Sequence, residues 1–172
     1  MTDFLPGLTP AKPAKPPRVI KSREFKICVL RECTAENAMC DVPAQAVDYW
    51  RKAVVSSPNY NPDVESLVCL ALNTRKRVIG HVVVATGTLD TIHIHCREVY
   101  KSAIALNAAG IILMHNHPSG DSTPSEADVR ATRDMIRGGQ VLKIELVDHI
   151  IVGHQSFGKG YTSLKEQGQF YT

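Results

Sequence analysis

An α/β layered fold is predicted for this 172-residue chain by three features of its sequence. Short apolar runs that read as strands alternate with segments whose apolar residues recur at helical spacing. One of these strands, Gly110–Met114, leads through a proline-stopped loop into a capped helix, which puts polar groups at a strand's carboxyl end. Apolar residues make up 44% of the chain, an ordinary share for a globular protein able to bury a core.

Residues 1–21 read as a flexible Pro/Lys-rich leader, because five of the ten prolines fall between positions 6 and 17, interleaved with Lys12 and Lys15. Residues 22–172 read as one folded domain. Within it, Arg23–Leu30 alternates loosely, as an edge strand would. Pro43–Val54 reads as an amphipathic helix: Val47, Trp50 and Val54 fall at helical spacing, Pro43 marks the start, and Trp50 is a core anchor. Residues 56–62 form a loop. Glu65–Leu72 is a strongly apolar strand, Asn73–Lys76 turns the chain, and Val78–Ala85 returns as the hairpin partner. A glutamate heading a buried strand is unusual, yet spacing alone leaves Glu65, Asp63, Asp90 and Glu98 equally open as a base beside a metal.

In Thr91–His95 the two isoleucines supply a buried face and His93 and His95 the polar one, so a short strand is expected there, with His95 able to approach a site elsewhere. Arg97–Ala109 reads as a helix whose apolar face holds Val99, Tyr100, Ala103, Ile104 and Leu106, with Arg97 and Lys101 on a solvated side. A helix opened by Pro124 runs to Gly138–Gly139. Glu145–Val152 is a further apolar strand, and Ser156–Thr172 predicts no element. His81, His149 and His154 stand alone and read as ordinary packed or surface histidines.

The chemistry concentrates between Met114 and Asp128. Residues two apart on a strand share a face, so His115 and His117 project together. Pro118 cannot donate to a ladder and Gly120 invites a turn, which ends the strand. Thr123-Pro124-Ser125-Glu126 looks like a capping box with proline at the first helical position. Ser125 and Asp128, three apart, then share one face of the helix. Two imidazoles and a carboxylate that converge, with a fourth position left to water, describe a catalytic zinc site.

Charge and cysteine content narrow the alternatives. The net charge of +3 sits at the N-terminus: residues 1–26 hold six basic and two acidic side chains, the remainder fourteen against fifteen. Nucleic acid as a partner is thus only weakly supported, since such affinity rests on clustered Lys and Arg. Five cysteines without a Cys-x-x-Cys pair argue against a disulfide framework and against a cysteine zinc knuckle, and Cys69 reads as a small core residue. There is no apolar run long enough for a bilayer and no signal-peptide core, so no membrane partner and a cytoplasmic location are expected.

With these residues in view, the chain resembles the RadC-like branch of the JAB/JAMM (MPN) metalloprotease superfamily. His115, His117, Pro118, Ser125 and Asp128 fit its pattern of an upstream glutamate, His-x-His-Pro, Ser and Asp without a gap. Asn107–Leu113, His115–Gly120 and Pro124-Ser125 look specifically like RadC, and the similarity runs from about Arg23 to Tyr161. The resemblance implies a three-layer α/β/α, cytidine-deaminase-like fold with a mixed central sheet over residues 22–172. It implies one zinc ion held by His115, His117 and Asp128. It also selects Glu65 as the upstream glutamate, acting as general base, and Ser125 as the donor to the oxyanion. The bond cut in such relatives is a peptide or isopeptide amide, so a zinc metallopeptidase-like hydrolase acting on a protein or peptide is expected. Longer RadC proteins carry a helix-hairpin-helix region where this chain has its proline-rich leader, so a DNA-repair role is not carried over.

The rival expectation is a non-catalytic MPN-type module that binds protein or DNA in repair or mobile-element functions. The complete ligand set argues against it. A zinc nucleobase deaminase would need His-x-Glu and Pro-Cys-x-x-Cys, and neither is present. Oligomeric state and physiological substrate have no sequence signal.

Overall fold

Strand β1 (Ser66–Leu72) is buried along its whole length, as a continuous apolar run inside a covered sheet requires. The computed structural model in which it is seen describes residues 38–87, 95–156 and 158–170. The expected leader, the Arg23–Leu30 strand and most of the Thr91–His95 strand lie outside those residues. β1 pairs antiparallel with β2 (Val78–Thr86) on one side and with β3 (Gly110–Asn116) on the other. The Asn73 carboxamide accepts from the amides of Arg75 and Arg77 at 2.9 and 3.0 Å, which closes the β1–β2 turn. β4 (Glu145–Val152) runs parallel to β3, and β5 (Tyr161–Ser163) antiparallel to β4, giving the order β2-β1-β3-β4-β5. The sheet is mixed because a tight turn joins β1 to β2, whereas parallel β3 and β4 need a crossover, supplied by helix α3 (Glu126–Leu142).

Strand alternation sorts the core onto the two faces of the sheet. Val68, Leu70, Leu72, Ile112 and Met114 pack against helix α1 (Pro43–Tyr49) and the turn that follows it. Leu67, Cys69, Ala71, Ile111 and Leu113 pack on the opposite face against helix α2 (Cys96–Ala105) and α3. This is the expected α/β/α layering, with Trp50 fully buried as a core anchor. Burial also raises the Cys69 thiol to about 11, consistent with an inert core residue. Among the described residues no helix is long and apolar enough to cross a membrane.

Several element ends depart from expectation, each for a local reason. The first helix continues past Tyr49 as a wider π-type turn over Trp50–Val54, with the Val55 amide bonded to the Trp50 carbonyl. α2 stops at Ala105 rather than Ala109 because Asn107 adopts a left-handed φ of 52° and the Ala109 amide is drawn onto the Leu72 carbonyl. α3 starts at Glu126 with Ser125, not Thr123, as its N-cap. It also runs through Gly138–Gly139 to Leu142 instead of stopping at the glycines. β5 had no sequence signal, being only three residues at the sheet edge.

The glycine pair serves contact between helices, not termination. A methyl group at Gly139 would overlap the Ile144 carbonyl oxygen and the Tyr100 hydroxyl, and that hydroxyl is already fixed by donation to the Met135 carbonyl at 2.7 Å. Helix propensity favours alanine by about 1 kcal/mol, so a net loss isolates the contact. Gly139→Ala is expected to lower stability by about 1–3 kcal/mol through overpacking. Denaturant titration measures this, and an unchanged or raised midpoint would contradict the assignment.

Candidate metal centre

Parity along β3 sets the first imidazole. Ile111 and Leu113 face α2 and α3, and His115 continues the same alternation to the strand's end. His117 stays in line because its amide still bonds the Val152 carbonyl at 3.0 Å. The chain then turns at Gly120, whose φ of 83° suits glycine and whose amide closes onto the His117 carbonyl at 2.9 Å. That turn brings the Asp121 carbonyl to 2.7 Å from His117 Nδ1. A carbonyl only accepts, so Nδ1 carries the hydrogen of this contact, and in the neutral ring Nε2 is the nitrogen left to bind.

The helix N-terminus supplies the carboxylate. Ser125 and Asp128 form a reciprocal capping box: the Asp128 amide donates to Ser125 Oγ, and the Ser125 amide donates to Asp128 Oδ2 at 2.8 Å. Ser125 Oγ also donates to Asp128 Oδ2, at 2.7 Å. The hydroxyl's single hydrogen is therefore spent on Asp128 in this structure. With Oδ2 so anchored, Asp128 Oδ1 lies 3.3 Å from His115 Nε2, and Oδ2 lies 3.8 Å from His117 Nε2.

Glu65 completes the cluster from the position just before β1. Its Oε1 lies 3.7 Å from His115 Nε2 and 3.8 Å from His117 Nε2, and the two Nε2 atoms are 3.1 Å apart. Glu65, His115 and His117 thus offer ligand atoms all within 4.8 Å of one another, with Asp128 joined to both histidines. The structure brings together every residue expected at the centre. Of the other acids, Asp63 is exposed, and Glu98 pairs with Arg97 and Lys101 on the outer side of α2. Asp90 lies outside the described residues. His81 bonds Tyr49, His154 lies on the surface beside Ser156, and His95 is exposed before α2.

Two supporting residues were not foreseen. Asn116 points away from the histidines on either side of it, and its Oδ1 accepts from the Ser66 amide at 3.0 Å while Nδ2 donates to the Val64 carbonyl at 3.1 Å. One buried carboxamide thereby grips the chain on both sides of Glu65. Asn116→Leu leaves the Ser66 donor and the Val64 acceptor unmet, and is expected to cost about 1–3 kcal/mol. Chemical denaturation checks this; wild-type stability would remove the clamp from the account.

His149 is packed, as expected, but against His115. Its Nε2 lies 3.0 Å from His115 Nδ1, and its Nδ1 lies 2.6 Å from Thr132 Oγ1. A bulge explains its position. Ile111 pairs with Leu146 but Ile112 pairs with Asp148, so β4 gains one residue and His149 turns to the α3 face, toward which Leu146 also points. Burial, reinforced by His149 and His117, holds His115 well below the usual histidine range. Burial also pushes His149 down to about 4, against the pull of the Asp128 carboxylate. Both rings are neutral near pH 7, the form that binds metals.

A family model described as the RadC-like JAB domain matches residues 40–169, which takes in the whole centre. The chain belongs to the RadC family. A UPF0758 protein of Bacillus cereus (strain B4264) is 47% identical over 104 residues, 60% of this chain and 44% of that relative. A UPF0758 protein of Desulforudis audaxviator is 44% identical over 108 residues, covering 63% and 45% respectively. One from Methanosarcina barkeri is 42% identical over 104 residues, 60% and 44%. The chain spans under half the length of the curated relatives it matches.

The RadC centre fits a divalent cation by the chemistry of its donors. Two imidazoles and two carboxylates converge without a thiolate, a nitrogen and oxygen set that zinc accepts. His117 Nε2, Glu65 and Asp128 all turn lone pairs toward His115 Nε2. A cation among them would satisfy that set.

Proposed function

We propose that this RadC-family domain is a zinc-dependent hydrolase of the JAMM type, cleaving peptide or isopeptide amide bonds in a protein or peptide substrate. The observation that carries this reading is the convergence of His115, His117, Asp128 and Glu65 at the carboxyl end of β3. His115, His117 and Asp128 would hold the ion. When bound, zinc acts as a Lewis acid that brings the pKa of water down to about 7.

The two carboxylates divide the work by their surroundings. Asp128 keeps 3% of its side chain exposed and is pinned by Ser125, which suits a fixed ligand. Glu65 keeps 13% exposed, which suits a group that takes a proton from water and returns it to the leaving amine. Ser125 Oγ would release Asp128 Oδ2 by rotation about its χ1 and donate to the carbonyl oxygen of the bond under attack. The neutral folded domain supports a protein substrate over nucleic acid. The free thiols of Cys40, Cys69 and Cys96 support a cytoplasmic setting.

Elemental analysis of purified protein, paired with a proteomic cleavage screen against a Glu65→Gln control, tests the proposal. One equivalent of zinc and peptides that appear only with the wild-type protein are expected. Zinc with no cleavage would favour the non-catalytic module, and no divalent metal would end the hydrolase reading.

A further inference from the structure

Behind His115 runs a hydrogen-bonded chain that the proposed reaction does not use. The Asp128 main-chain carbonyl can only accept, and Thr132 Oγ1 lies 2.6 Å from it, so the single hydrogen of that hydroxyl is committed there. His149 Nδ1 lies 2.6 Å from the same hydroxyl oxygen and must supply the hydrogen of that contact. A neutral imidazole protonated at Nδ1 is bare at Nε2. The bare Nε2 lies 3.0 Å from His115 Nδ1, which must then be the donor. His115 in turn is bare at its own Nε2, the atom that faces His117, Glu65 and Asp128.

His115, Thr132, His149 and Asp128 are all buried, so bulk water cannot take the place of a missing partner. The chain also closes on itself. Asp128 sets its first bond with a main-chain oxygen and lies 3.3 Å from its last atom with a carboxylate oxygen.

We propose that Thr132 and His149 form a tautomer relay that locks the His115 ring with its Nε2 lone pair aimed at the metal. Both are positioning residues. A ligating histidine usually donates its other N–H to a carboxylate, a carbonyl or water; here a second imidazole takes that part, its orientation set by a helix hydroxyl. The inference rests on the metal-binding reading of the centre.

The test uses the full chain, ¹⁵N-labelled, as wild type and as His149→Leu, His149→Gln and Thr132→Val. Long-range ¹H–¹⁵N spectra of the metal-free protein report which His115 nitrogen carries hydrogen, and competition with a chromophoric chelator reports zinc affinity. The expected wild-type spectrum shows Nδ1 protonated and Nε2 bare; an Nε2-protonated ring overturns the relay. His149→Leu is expected to weaken zinc binding by about 10- to 100-fold. His149→Gln, whose amide oxygen can accept from His115 while its nitrogen donates to Thr132, is expected to restore most of that loss. Thr132→Val is expected to show mixed His115 tautomers and weaker zinc. Wild-type affinity in His149→Leu, or an equal fall in His149→Gln, overturns the proposal. If His149→Leu does not fold, the Gln and Val variants decide. A wild-type protein that binds no zinc would sink the functional reading instead, while the tautomer spectrum still judges the relay.

Discussion

Glu65→Gln is expected to leave one equivalent of zinc in place and to lower hydrolysis by about 10²–10⁴-fold, the usual contribution of a positioned general base. Glutamine matches the side chain in size but cannot take a proton from water. The Asn116 clamp holds the backbone on both sides of the position, so the amide should sit where the carboxylate did. The proposed zinc ligands lie at the end of β3, just beyond it, and in the first turn of α3, and an isosteric change at Glu65 leaves all three in place. Metal content and the initial rate on a peptide from the cleavage screen are the two readouts. Retained zinc with full activity would remove Glu65 from the mechanism, and lost zinc would make it a ligand.

His117→Ala is expected to abolish stoichiometric zinc. Its Nδ1 is held by the Asp121 carbonyl and its Nε2 is delivered to the centre, so alanine leaves two of the three proposed ligands, His115 and Asp128, too few for a catalytic zinc site. Zinc that binds the folded chain also stabilises it, by about 2.7 kcal/mol at a hundredfold excess over Kd. The wild-type melting temperature should therefore rise with added zinc, and that of His117→Ala should not. Undiminished metal content in the variant would refute the ligand assignment.

The centre was legible in the sequence because its parts obey local rules. Alternation along β3 puts His115 on the same face as Ile111 and Leu113, and helix periodicity puts Asp128 beside Ser125. Glu65 was different. It joins the site through long-range pairing of β1 with β3, in which Leu67 sits opposite His115, and spacing alone could not choose it over Asp63, Asp90 or Glu98. Only the resemblance did so.

His149 escaped for a sharper reason. In an unbroken strand, parity counted from Leu146 would place it on the far face of the sheet, and only the bulge reverses that. Asn116 escaped because its partners are main-chain groups some fifty positions earlier, which leave no side-chain pattern to read. The glycines of α3 read as a stop in the sequence, since nothing in a linear sequence shows that Tyr100 occupies the space beside them.

An anomalous difference map recorded at the zinc absorption edge, from crystals of the zinc-loaded chain, tests the central claim most directly. A single strong peak is expected at about 2.0–2.2 Å from His115 Nε2, His117 Nε2 and an Asp128 carboxylate oxygen, with Glu65 close by. A zinc-loaded crystal with no peak there, or with a peak held by other residues, would contradict it.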